Sequence, residues 1–231
     1  MSGSRAGSST TIPTGLTGSF WRGHGRGMLV VFDLDGTLVD STQALLESHD
    51  AAFASVGLER PSDEAILELI GLPLLHIMET LAPGQDPEAM SEIYSQAYVR
   101  VAPSCERLFD GMSELLARPF RAAVATGKSQ RGADRVVRQF DLERRFEIVL
   151  GGNSVPRPKP HPDMLNAIME ATDTRPDEIV MLGDTTYDLE MAKSAGTRAI
   201  GVAWGHHTKE RLEAWAPVVD TVADLTRLLG V

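Results

Sequence analysis

The feature that most constrains this chain is a recurring unit: a short apolar run that ends on a polar or acidic residue and passes at once into a helical pattern. The first such run is Leu29–Phe32, and others lie near 120–125, 147–150, 179–182 and 198–202. Helical periodicity follows near 129–139, 162–171, 186–195, 208–215 and 221–229. Runs this uniformly apolar suit strands buried on both faces, and their alternation with helices specifies an α/β fold with a parallel sheet covered on either side. In such sheets ligands bind where strands give way to helices.

Far more chain separates the first strand from the second than one crossover needs, since a β-α-β unit takes about thirty residues. The surplus predicts a second, helical domain. Helices are expected over 42–56, ending at Gly57, then after an N-cap at Ser62 with Ala65, Ile66, Leu69 and Ile70 on one face, then over 73–81 and 87–101. The expected division is a core of residues 28–40 and 106–231, with an α-helical cap over 41–105. Residues 1–27, rich in Gly, Ser, Thr and Arg with no continuous apolar stretch, are expected to be a disordered extension, with no ligand role for His24.

A net charge of −10 and a pI near 5.1 speak against partnership with nucleic acid or an anionic membrane surface. Residues 41–105 hold ten Asp and Glu against only Arg60 and Arg100, so the helical insert carries −8 of that charge. This predicts poor acceptance of a ligand that turns a multiply anionic end towards the insert, unless Arg60, Arg100, His49 or His76 points inward. A single cysteine, Cys105, excludes an intrachain disulfide, offers no thiolate metal cluster and fits a cytoplasmic location. No G-x-G-x-x-G follows a strand, so a nicotinamide cofactor is not indicated.

Chemistry concentrates at the strand ends. The segment L-V-V-F-D-L-D-G-T-L-V-D-S delivers Asp33 and Asp35 into an Asp-Gly turn, where two neighbouring carboxylates repel unless a cation sits between them. An acidic turn with no function would suffice for D-x-D-G alone. It does not account for Thr126 in A-A-V-A-T-G-K-S, Lys159 in R-P-K-P-H-P-D, or Asp184 and Asp188 in G-D-T-T-Y-D. Asp184 could be a simple N-cap, and Lys159 a solvated lysine, although Pro158 and Pro160 stiffen its loop.

With these motifs in this order, the chain resembles the haloacid dehalogenase superfamily, in the branch that includes phosphoglycolate phosphatases. The resemblance covers nearly everything after Met28. It implies a Rossmann-like, three-layer core with the helical cap inserted after the first motif. It also implies that Asp33 is a nucleophile forming an aspartyl-phosphate, and that Asp35 protonates the leaving group and then activates water. Mg²⁺ would be held by Asp33, the backbone carbonyl of Asp35 and Asp184, with Asp188 one helical turn further on in the outer shell. Thr126 and the Gly127 N–H would bind phosphoryl oxygens, and Lys159 would hold both phosphoryl group and nucleophile.

The implied activity is Mg²⁺-dependent hydrolysis of a small phosphorylated metabolite, by a monomer or a dimer. Sugar phosphomutase, pyrophosphatase and a non-catalytic binder of phosphorylated ligands remain as alternatives. Asp35 disfavours a dehalogenase, and a lysine-free cap disfavours phosphonoacetaldehyde hydrolysis. Lys128 is expected at the surface, and His206 and His207 in a surface loop at the site's edge rather than in a zinc site. Positions 164, 165, 168 and 169 read as helix core. Asn153 stands where relatives often carry Asp, and Tyr187 and Trp204 are left without a role.

Overall fold

The computed structural model describes residues 27–230. The tail's expected disorder and His24 therefore lie outside the described residues. Six strands, β1 (Leu29–Phe32), β4 (Arg121–Thr126), β5 (Val149–Gly151), β6 (Ile179–Gly183), β7 (Arg198–Val202) and β8 (Val218–Val219), form one parallel sheet in the order β5-β4-β1-β6-β7-β8. β1 lies at the centre, and strand order runs outward from it in both directions. That is the Rossmann-like topology expected, and its switch point falls beside the first Asp pair.

The pleat explains why the strands are apolar throughout. Val30 and Phe32 point into one hydrophobic cluster with Val124, Leu182 and Ile200, whereas Leu29 and Val31 point into another with Ala123, Met164, Leu165, Ile168 and Met181. Each face is covered by helices, giving three layers. On the first face, truncating Phe32, which is fully buried, would cost about 3–5 kcal/mol. The second face takes the side chains of α7 (Asp163–Thr172), which confirms the helix-core reading of 164, 165, 168 and 169.

A two-stranded antiparallel ribbon, β2 (Val39–Asp40) with β3 (Arg107–Leu108), stands where the chain leaves the sheet layer and returns to it. Between them lie α1 (Thr42–Ser55), α2 (Asp63–Leu67), α3 (Leu74–Leu81) and α4 (Pro87–Cys105). These share a separate hydrophobic cluster that includes Leu45, Phe53, Ile66, Met78, Met90 and Tyr94. Ser62 caps α2 by accepting from the Ala65 N–H. The last helix, α4, runs past the expected end at 101 and through Pro103. Proline sits there in the final turn, which is closed by the Glu106 N–H donating to the Ala102 carbonyl.

The remaining helices are α5 (Met112–Leu116), α6 (Gln130–Gln139), α8 (Thr186–Ser194), α9 (Lys209–Glu213) and α10 (Val222–Leu229). The ribbon, α5 and β8 had too few residues to show a period. No helix among the described residues is long and apolar enough to cross a membrane.

Candidate active site

Strand register brings the sequence motifs together. Phe32 pairs with Val124 of β4 and with Leu182 of β6. Continuing that register by two residues sets Thr126, Leu34 and Asp184 level across three adjacent strand ends, with Asp33 and Asp35 on either side of that level. The turn out of β1 passes so close to β6 that a Cβ on Gly36, at φ +74°, would lie 2.1 Å from Asp184 Oδ2. Only glycine serves there.

Asp33, Lys159, Asp184 and Asp188 are all buried. Lys159 arrives on the loop before α7 and places its Nζ 2.9 Å from Asp33 Oδ1 and 2.6 Å from Asp188 Oδ1. Burial lowers the lysine's proton affinity, but Asp188 and Asp33 outweigh it and hold the ammonium above its usual range. Burial dominates at Asp33. Lys159 pulls the other way, but burial, reinforced by Asp188, Asp184 and Asp35, raises the carboxyl to about 8.

Asp184 is fixed on both oxygens. Oδ1 accepts from Thr37 Oγ1 at 2.8 Å, and Oδ2 accepts the His206 N–H at 2.8 Å and faces His206 Nδ1 at 2.8 Å. Burial raises this carboxyl, yet the His206 hydrogen bond and charge prevail and hold it below the usual range. Asp188 Oδ2 accepts from Thr185 N–H at 3.2 Å and Oγ1 at 2.7 Å, so Asp188 also locks the start of α8.

Whether these residues suit a hard divalent cation can be tested on their own atoms. Carboxylate oxygens of Asp33, Asp184 and Asp188 lie within 4.8 Å of one another, and the buried Asp33 Oδ2 accepts no hydrogen bond among the described residues. An all-oxygen set with an unsatisfied buried carboxylate oxygen fits a cation such as Mg²⁺.

Asp35 is held by residues that sequence reasoning missed. Its Oδ1 accepts from Ser41 Oγ and lies 3.1 Å from Lys128 Nζ. Lys128 is not a surface lysine: its ammonium also donates to Tyr98 Oη of α4 at 2.7 Å and sits 4.0 Å from that ring's centre. Tyr98 donates in turn to Glu106, whose two oxygens each accept from Arg135 of α6 at 2.9 Å. A continuous polar chain thus joins Asp35 to the helical unit. Its signal was available in the position of Lys128, two residues beyond Thr126, but Tyr98 is too distant in sequence to suggest itself.

The His pair also departs from expectation. The His206 side chain is 3% exposed and bound to Asp184 rather than out in a surface loop, because the loop after β7 folds back over the end of β6. His207 Nδ1 accepts the Thr186 N–H at 3.0 Å, and its Nε2–H donates to the Glu68 carbonyl at 3.1 Å, which ties the sheet layer to the helical unit. Tyr187 donates to the same carbonyl, and Trp204 to the Thr37 carbonyl. Asn153 Oδ1 accepts the first N–H of α6, at Gln130.

Asp33, Asp35, Thr126, Gly127 and Lys128 line a cavity of about 930 Å³ between the sheet and the helical unit. Lys159, Asp184 and Asp188 are buried and do not line it. The two layers meet tightly here: a Cβ on Gly127 would fall 2.4 Å from the Gly71 carbonyl oxygen. Although the helical unit is acidic overall, Glu92 is its only acidic residue on the cavity wall, whereas Arg100 together with Lys128, Arg131, Arg135 and Arg138 lines it. Arg60 instead pairs with Asp50 and Asp63, His49 is buried, and exposed His76 lies near Glu79. The charge surplus of the insert therefore does not describe the cavity.

Comparison with known proteins identifies the class of α/β protein to which this strand-centred site belongs. A family model described as haloacid dehalogenase-like hydrolase matches residues 30–202. The chain belongs to that family. Among similar chains, "Probable phosphatase IndB" of Dickeya dadantii is 36% identical over 209 residues, covering 85% of this chain and 91% of that one. Phosphoglycolate phosphatase of Vibrio vulnificus is 32% identical over 219 residues, covering 88% and 95%. A haloacid dehalogenase-like hydrolase of Streptococcus pneumoniae shares the fold, with a TM-score of 0.78 at 22% identity over 87% of this chain and 97% of that one.

Proposed function

We propose that this protein is a Mg²⁺-dependent phosphatase that hydrolyses a small phosphate monoester through a phosphorylated Asp33. The reading rests on one observation above all: Asp33 is buried against Lys159 with one oxygen unpartnered, at the edge of a cavity that Asp35 and Thr126 also line.

Asp33, the Asp35 carbonyl and Asp184 would hold the ion, with Asp188 outside them. When bound, it supplies positive charge against the transferring phosphoryl oxygens and favours the ionised form of Asp33. Asp33 attacks phosphorus, and the bond from phosphorus to the ester oxygen breaks. Thr126 Oγ1 and the Gly127 N–H hold the non-bridging oxygens, while Lys159 keeps Asp33 aimed and offsets the growing charge. Asp35, whose Oδ1 is occupied by Ser41 and Lys128, carries the proton on Oδ2 and gives it to the leaving alkoxide. The same oxygen then takes a proton from water as that water attacks phosphorus, and the bond to Asp33 breaks to release inorganic phosphate.

In this reading residues 28–40 and 106–231 form the catalytic core, and 41–105 form a cap whose closure keeps water from the phosphorylated Asp33 until the alcohol has left. Phosphate release from a monoester panel tests it. Turnover should require Mg²⁺, stop with a chelator, and fall at least about 10³-fold in Asp33→Asn. Turnover by Asp33→Asn at the unmodified rate would overturn the assignment.

A further inference from the structure

The cavity wall is part apolar and part charged, and its cations divide into two kinds. Lys128 and Arg135 are committed within the protein, the first to Asp35 and Tyr98 and the second to Glu106. Arg100, Arg131 and Arg138 line the same cavity, are exposed, and have no carboxylate within 4.0 Å among the described residues. Most other described arginines pair with an acid, as Arg60, Arg121, Arg157 and Arg211 do. Glu92, the acid that the helical unit adds to the wall, is bound by Gln96 Nε2 at 2.9 Å and pairs with none of the three. In a chain of net charge −10, three unmatched guanidinium groups around one opening form a local positive field.

Their arrangement has a direction. Arg131, Arg135 and Arg138 are spaced by four and three residues on α6, so they share one face of that helix. Arg135 shows where the face looks, because its guanidinium lies 5.2 Å from the centre of the Tyr98 ring of α4. Arg100 follows Tyr98 by two residues on α4. The corner with Thr126 and Gly127 lies before the N-terminus of α6, and at about 1.5 Å per residue Arg138 stands about 10 Å further along the axis than Arg131. The stripe therefore leads away from the position of the reacting phosphoryl group.

We infer that the substrate is a phosphomonoester with a second anionic group, phosphate or carboxylate, at the far end of its leaving alcohol, received by Arg131 and Arg138 with Arg100 across the opening. The inference rests on the phosphatase reading of the same site and adds a second charge and its separation from the first. Guanidinium groups meet either anion with paired N–H donors, while Leu72, Leu74 and Ile77 of the wall cover the carbon body between the two ends. Glycolate is too short to carry its carboxylate along the stripe.

The test is kcat/KM with Mg²⁺, at a fixed ionic strength of about 0.15 M, for glucose 6-phosphate, 6-phosphogluconate, glucose 1,6-bisphosphate and 2-phosphoglycolate. The first three share a six-carbon body and differ at the far end, which is neutral, carboxylate or phosphate. At least one of 6-phosphogluconate and glucose 1,6-bisphosphate should lead both glucose 6-phosphate and 2-phosphoglycolate by about tenfold or more, and the better of the two tells carboxylate from phosphate. Arg131→Gln combined with Arg138→Gln, both at exposed positions, should cost that ester about tenfold more than it costs glucose 6-phosphate. A lead by glucose 6-phosphate or 2-phosphoglycolate, or an equal loss on all four esters in the double variant, overturns the inference and leaves the phosphatase reading standing. Absence of turnover on every ester overturns both.

Discussion

The sheet and the helical unit solve opposite problems. At the sheet's edge four charged side chains, Asp33, Lys159, Asp184 and Asp188, are buried against one another where the backbone fixes their positions. The helical unit keeps its own apolar core, turns most of its acids away from the cavity, and meets the sheet layer through polar groups: Tyr98 with Lys128 and Glu106, and Glu68 with His207 and Arg211. The Glu68–Arg211 pair is more than two-fifths exposed on each side, where such pairs contribute less than about 1 kcal/mol. In the proposed reading the chemistry sits with the buried cluster and the choice of substrate with the helical unit.

Lys159→Met breaks that contrast hardest. It removes the cation between two buried carboxylates, and should cost about 10³-fold in turnover and about 3 kcal/mol in urea-unfolding stability. Activity within tenfold of the parent would mean that the sheet's charge cluster is structural. Lys128→Met and Tyr98→Phe probe the connection instead. Each should retain the fold and lower kcat/KM, by about 10–100-fold for Lys128→Met and about threefold to tenfold for Tyr98→Phe. If Tyr98→Phe matched Asp33→Asn, the helical unit would be part of the chemistry.

Two pH measurements sharpen the comparison with smaller effects. Asp33 stands at about 8 through burial, so below that pH an ion taking its carboxylate must displace a proton. Mg²⁺ affinity measured by calorimetry should rise by up to about tenfold per unit from about pH 6 to pH 8 and flatten above, with proton release that Asp33→Asn abolishes. In the helical unit, burial lowers His49 to about 4, and its Nδ1–H donates to the Leu45 carbonyl at 2.8 Å. The unfolded chain binds that proton near 6.5, so stability should fall as pH drops from 6.5 towards 4, by about 3 kcal/mol in total. His49→Leu should flatten that slope, and an unchanged slope would refute the assignment.

The sheet and its acids were legible in sequence because a buried parallel strand leaves a continuous apolar run, and the residue ending it is fixed at the edge. Asp33, Thr126 and Asp184 follow from that rule alone. Lys159 sits on a loop, and only the two prolines and the family resemblance singled it out. Lys128 and His206 were misplaced because their surroundings come from residues far away in sequence: Tyr98 is thirty positions from Lys128, and Asp184 twenty-two from His206. The acidic insert misled in the same way, since a net charge says nothing about which face bears it. Short elements such as β8, two residues long, are too brief for any periodicity.

The central claim is covalent, and trapping tests it most directly. Enzyme quenched in acid during turnover of an accepted monoester, then digested and mapped by mass spectrometry, should carry a phosphoryl group on Asp33 that is absent without Mg²⁺. Steady turnover with Asp33 never modified, or with the phosphoryl group on another residue, would contradict the account.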